Sequence, residues 1–200
     1  MLPKLRGNTP NLHKMEKVHL KNFYHSTVVP SLKESQGYKN VHQVPRVEKI
    51  VLNTAFNSST EKGQVDDIVK ELSKIAGQRA VVTKAKKSVS NFKLREGMPV
   101  GAMVTLRGRQ MYEFMYRLIA VALPGIRDFR GVKDRLDGNG NYTLGITDHS
   151  IFPETQGDGS KANMGLDICI STTAGSDSEG RELLSLMGIP FRKRTVGGGS

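Results

Sequence analysis

The chain has 200 residues, with 30 Lys and Arg against 19 Asp and Glu, a formal charge of +11 and 37% apolar residues. That apolar share is ordinary for a globular protein and excludes collagen-like, mucin-like and fully disordered classes. The single Cys169 cannot close an intramolecular disulfide or build a thiolate metal site, and the nearly apolar stretch 118–126, broken by Pro124 and Gly125, falls far short of a membrane span.

Residues 1–15, with Pro3, Gly7, Asn8 and Pro10, show no period and read as a flexible basic extension. Lys4, Arg6 and Lys14 without an acid would also suit an organellar leader, the less favoured reading. Over 16–35, Leu20, Phe23, Tyr24, Thr27, Val28 and Leu32 recur at helical spacing, with a kink or break expected at Pro30 and a stop at Gly37. Residues 47–53 are dense in Val, Ile and Leu and read as a buried strand.

The spacing predicts a helix over 64–76, where Val65, Ile68, Val69, Leu72, Ile75 and Ala76 form one stripe against a charged face and Gly77 follows the end. Asp66 and Asp67 fall in its expected first turn, where acids suit the macrodipole. A short strand is expected at 80–83. A second, at 100–107, alternates Val100, Ala102, Val104 and Leu106 with Gly101, Met103, Thr105 and Arg107.

A helix over 110–123 carries Met111, Phe114, Met115, Leu118, Ile119, Ala122 and Leu123 on one face and stops at Pro124. Strands follow at 141–146 and 166–172, then a helix over 177–187, then a loose Gly-rich tail over 195–200. Cys169, central in its strand, reads as a small core residue. The pattern defines a single α+β domain, a mainly antiparallel sheet with helices packed on one face and the other face open.

The charge is concentrated. Between Arg79 and Arg109 stand eight basic side chains, Arg79, Lys84, Lys86, Lys87, Lys93, Arg95, Arg107 and Arg109, against the single acid Glu96. Gln78, Thr83, Ser88, Ser90, Asn91 and Thr105 add short polar groups, and Phe92 adds one ring in a loop bounded by Gly and Pro. Phosphate contacts, edge readout and a stacking ring are what an RNA surface needs. Thr105 and Arg107 share the face opposite Val104 and Leu106, and Asn53 joins them if its strand is a neighbour.

Enzyme signatures are missing. There is no phosphate-binding loop, and Gly138, Gly140 and Gly145 are wrongly spaced for a dinucleotide site. Asp137-Gly-Asn-Gly-Asn141 opens like a calcium loop, but Tyr142 stands where that loop needs glycine, so a tight turn is expected instead. The five histidines lack paired ligand spacing, so neither a metal nor a cofactor is expected.

Several motifs in order point to one family: Tyr38-Lys-Asn-Val41 with Gln43-Val-Pro45, Val82-Thr-Lys-Ala-Lys-Lys-Ser88, Phe92-Lys-Leu-Arg95, Gly97-Met-Pro-Val-Gly101 and Val104-Thr-Leu-Arg107. Met111-Tyr-Glu-Phe114, Ile126-Arg-Asp-Phe-Arg-Gly131, Asp137-Gly138, Gly140-Asn-Tyr142, Ile151-Phe-Pro-Glu154 and the run from Gly188 to Lys193 continue the match. Over about 16–194 the chain resembles the bacterial-type ribosomal large-subunit protein number five family, the 5S rRNA binders. The resemblance implies a non-enzymatic protein of the cytoplasmic ribosome that fastens 5S rRNA to 23S rRNA in the central protuberance, beside neighbouring large-subunit proteins.

By motif position the resemblance also implies three surfaces. Asn53, Gln78, Lys84, Lys86, Thr105 and Arg107 would meet 5S rRNA through an open RNA-binding face. A mobile loop carrying Ser90, Asn91, Phe92, Lys93 and Arg95 would reach P-site tRNA. Arg135, Asp137, Asn139, Asn141 and Glu154 would bridge to the small-subunit head protein number thirteen. The chain departs from the family at Thr54-Ala-Phe-Asn57, where glycines are usual, and over 155–163.

Overall fold

The computed structural model describes residues 20–56, 62–155 and 164–192, so the extensions expected at 1–15 and 195–200 lie outside the described residues. Five strands form one antiparallel sheet: β1 (Val47–Ala55), β2 (Val81–Lys84), β3 (Pro99–Leu106), β4 (Tyr142–Ile146) and β5 (Leu166–Thr172). Their order is β2-β3-β1-β5-β4, with β1 in the middle. Strand alternation sends Ile50, Leu52, Ala102, Val104, Leu106, Ile168, Ile170 and Tyr142 into the core.

The helices cover that apolar face. Helix α1 (Leu20–Phe23) passes through a π turn at Tyr24–Val28 into α2 (Val29–Gln36), and α3 (Lys62–Ala76) follows β1. Helix α4 (Gly108–Arg117) continues through a π turn at Leu118–Ala122, and α5 (Asp177–Leu186) ends the described fold. All seven apolar residues expected on the α4 face are buried. Phe114 stacks on Phe152 with centroids 5.9 Å apart, and full burial of one such side chain is worth about 1.5–3 kcal/mol.

Several local expectations are corrected. Pro30 does not break its helix: it sits in the first turn of α2, behind the wider π turn, where its missing N–H disturbs no regular ladder. Gly37 does stop the helix as expected, at φ 68°, its N–H donating to Lys33 O at 3.0 Å. Thr27 is exposed rather than core. Helix α3 starts at Lys62, which moves Asp66 and Asp67 out of its first turn and away from the positive helix end. Cys169 is half-buried on the face opposite Ile168 and Ile170, because the two isoleucines take the core side.

A sheet of this kind needs tight corners. Gly180 on α5 lies so close to the turn before β4 that a Cβ there would be 2.4 Å from Gly140 O and 2.7 Å from its Cα. The start of α5 is closed by Ser176, whose Oγ accepts from Glu179 N at 3.5 Å, while Glu179 Oε2 accepts from Gly175 N at 3.0 Å.

Candidate nucleic-acid interface

The face left bare by the helices is built in rows by the strand registers. Val81, Met103, Asn53, Asp167 and Gly145 form one row across all five strands. Thr105, Val51, Cys169 and Thr143 form the next. Arg107 leaves the end of β3 on the same side as Thr105 and pairs with Glu48. Asn53, Thr105 and Arg107 therefore share one face, as alternation predicts.

The other expected contacts flank the β2 edge. Gln78 is exposed in the turn entering β2, near the Thr105 end of the neighbouring strand. Lys84 ends β2 opposite Pro99, where a register shift bypasses Val100, and Lys86 is exposed just beyond it. All eight basic residues between Arg79 and Arg109 are exposed. Arg107 pairs with Glu48 and Arg109 with Glu113; Arg79, Lys84, Lys86, Lys87, Lys93 and Arg95 have no ion-pair partner among the described residues.

The segment expected to be a mobile loop is a folded hairpin. Ala85 and Val89 extend the β2–β3 ladder, with Ala85 N to Met98 O at 2.8 Å and reciprocal Val89–Leu94 bonds of 3.0 and 3.1 Å. Ser90–Phe92 make a 3-10 turn closed by Lys93 N to Ser90 O at 2.9 Å, with Lys93 at φ 52°. Ser88 Oγ braces Glu96 N at 3.0 Å. Ser90, Asn91, Phe92, Lys93 and Arg95 are all exposed on it, and Phe92 at 69% exposure is the most open of the large apolar side chains described.

At the opposite edge, the turn before β4 is knitted together. Asp137 accepts from Asn139 N, Asn141 N and Asn141 Nδ2 at 2.9, 3.0 and 2.7 Å. These bonds hold its carboxyl below the usual range, the Asn141 side-chain bond contributing most. Asp177 Oδ1 accepts from Gly138 N at 2.9 Å and Gly140 N at 3.0 Å, joining the turn to α5. The tight-turn reading holds, although Asn141 belongs to the turn and β4 begins at Tyr142.

This arrangement separates the residues expected at the bridge. Arg135 and Asn139 are exposed, whereas Asp137 and Asn141 bond chiefly to one another. Glu154 lies elsewhere and is occupied within the fold. Its carboxylate accepts from Arg117, which also donates to Ile75 O at 2.9 Å at the end of α3.

Three features escaped the sequence reading. Val81 and Met103 are exposed at 63% and 42%, so the platform carries an apolar patch among its polar groups. Asp167 places an acid in the same row. Glu71, on the side of α3 read as charged, is buried with its Oε2 3.1 Å from His149 Nε2. Met164 N donates to His149 Nδ1 at 3.3 Å, which fixes the ring beside Glu71.

No cluster of three or more His, Cys, Asp or Glu among the described residues could hold a metal ion, and no described helix is long and apolar enough to cross a membrane. Fold and site together define an α+β protein organised around an uncovered sheet face flanked by cations. A family model described as ribosomal protein L5 matches residues 40–95, and the ribosomal L5P family C-terminus matches residues 99–191. The large ribosomal subunit protein uL5 of Thermosipho africanus is 50% identical over 181 residues, 90% of this chain and 100% of that protein. That of Alkaliphilus oremlandii is 53% identical over 176 residues, 87% of this chain and 98% of its own. That of Desulfotalea psychrophila is 52% identical over 176 residues, with the same coverage. The chain belongs to the uL5 family: it is a structural component of the large ribosomal subunit and not an enzyme.

Proposed function

We propose that this chain binds 5S rRNA through its open sheet face and attaches it to 23S rRNA in the central protuberance of the cytoplasmic ribosome. The observation that carries the reading is the convergence of Asn53, Thr105 and Arg107 on the uncovered face of two paired strands. Gln78, Lys84 and Lys86 stand along the adjacent edge, where unpaired cations suit phosphate. An uncovered sheet face fits the wide, shallow groove of structured RNA, with its 2′-hydroxyls. Residues 16–194 form the single RNA-binding ribosomal domain in this reading, with 1–15 and 195–200 as extensions.

The hairpin tip contacts P-site tRNA, with Phe92 offering a ring and Lys93 and Arg95 offering charge. The exposed Arg135 and Asn139 face the small-subunit head protein number thirteen, while Asp137 and Asn141 hold the turn that presents Asn139. Neighbouring large-subunit proteins complete the surroundings. The test is a titration against 5S rRNA, an unrelated structured RNA and duplex DNA at two salt concentrations. A preference for 5S rRNA of about 10³ that survives higher salt supports specific recognition, and equal binding to all three leaves only charge.

A further inference from the structure

Asp167 breaks the charge pattern of the open face. It stands on β5 opposite Asn53 on one side and Gly145 on the other. It is exposed, and its carboxylate has no hydrogen-bond or ion-pair partner among the described residues. A Cβ at Gly145 would lie 3.4 Å from Asp167 Oδ1, so the glycine leaves that flank of the carboxylate open. The amide of Asn53 is likewise without a side-chain partner among the described residues, and directly opposed side chains in a sheet stand about 5 Å apart.

An ionised carboxylate only accepts hydrogen bonds and repels phosphate. On a face that binds RNA its natural complement is a hydrogen-bond donor. Ribose hydroxyls and base N–H groups are the candidates. Guanine alone presents two adjacent N–H donors, N1–H and N2–H, spaced for two carboxylate oxygens, with the O6 acceptor beside them. Adenine and cytosine offer a single amino group next to a lone pair, and uracil offers one N–H between two carbonyls. The Asn53 amide can donate to O6 while Asp167 accepts from N1–H and N2–H. Beyond Asn53 in the same row, the exposed Met103 and Val81 give an apolar surface flanking the O6 side of the base.

We infer that Asp167 and Asn53 together read the Watson–Crick edge of an unpaired guanine in the bound RNA, with Met103 flanking the base. This rests on the open face being the RNA site. It assigns base readout to the β1–β5 side of the platform and leaves the β2 edge, rich in Lys and Arg, to the phosphates.

The test is analogue interference. A 5S rRNA transcript pool in which guanosine is sparsely replaced by inosine, which lacks the N2 amino group, is partitioned by binding to wild type, Asp167→Asn and Asp167→Ala. Inosine is expected to interfere at one or a few positions with wild type, and that interference is expected to vanish with both variants. Asp167→Ala should lose roughly 10-fold in 5S rRNA affinity, as for loss of a bidentate base contact, while an unrelated structured RNA binds equally or more tightly. Unchanged thermal unfolding midpoints check that the exposed substitutions leave the fold intact. An identical interference pattern in all three proteins, or an equal gain for both RNAs with Asp167→Ala, overturns the guanine contact while the 5S preference stands. A wild-type protein without 5S preference overturns both readings.

Discussion

Arg107 and Glu48 meet at the edge of the open sheet face, Nη1 to Oε1 3.6 Å apart, with both side chains more than half exposed. Glu48 is there because β1 has a register shift between Val47 and Lys49, leaving it as the extra residue against β5. An exposed pair of this kind is worth only about 0.2–1 kcal/mol, so RNA can take over the guanidinium with little opposition. Arg107→Ala is expected to weaken 5S rRNA binding by about 1–3 kcal/mol and to affect an unrelated RNA less. Filter binding of both RNAs checks it, and equal losses would rule out a specific contact at Arg107.

The hairpin tip should separate from the platform functionally. Lys93→Ala is expected to leave 5S rRNA affinity nearly unchanged and to weaken the tRNA contact, lowering the salt dependence of that contact by about one counterion. Footprinting of P-site tRNA on ribosomes carrying the variant, alongside 5S titrations, gives the answer. A large 5S defect would place Lys93 on the 5S surface instead.

Gly180→Ala adds a methyl group where no volume exists, against the backbone of Gly140. The expected loss is about 1–3 kcal/mol of stability, from displacement of α5 relative to the turn before β4. Urea unfolding measures it, and a midpoint equal to that of wild type would show that the helix and turn separate freely.

Acid should weaken the same turn through Asp137. Its folded carboxyl is held below the ordinary value of 3.8, so its stabilising contribution is present above that value and is lost as pH falls through the lower folded one. Asp137→Ala is expected to unfold at lower urea concentration than wild type near pH 7, with the difference shrinking as pH falls below about 4. A gap that stays constant from pH 7 to pH 3 would mean that the bonds to Asn139 and Asn141 do not favour the ionised form.

Much of the fold was legible because local periodicity reports which side of an element is buried. The α4 stripe from Met111 to Leu123 and the alternation of Val104 and Leu106 with Thr105 and Arg107 both survive in the structure. The Ser176–Glu179 spacing is a helix-start signal that was available and went unread. The hairpin at 85–98 was harder to see, since its ladder relies on backbone bonds such as Ala85 to Met98 that carry no apolar signature. Glu71 resembles a solvated helix residue until His149 arrives from a distant turn to cover it.

The sequence by itself determined the class of fold, the concentration of charge between Arg79 and Arg109 and the family, because these depend on composition, short-range spacing and ordered motifs. Tertiary structure decided which strands became neighbours. Placing β1 between β3 and β5 brings Asn53 beside both Met103 and Asp167, residues 50 and 114 positions further along the chain. Strand order and register are set by the joint burial of apolar faces contributed by distant segments, and no local pattern encodes that choice.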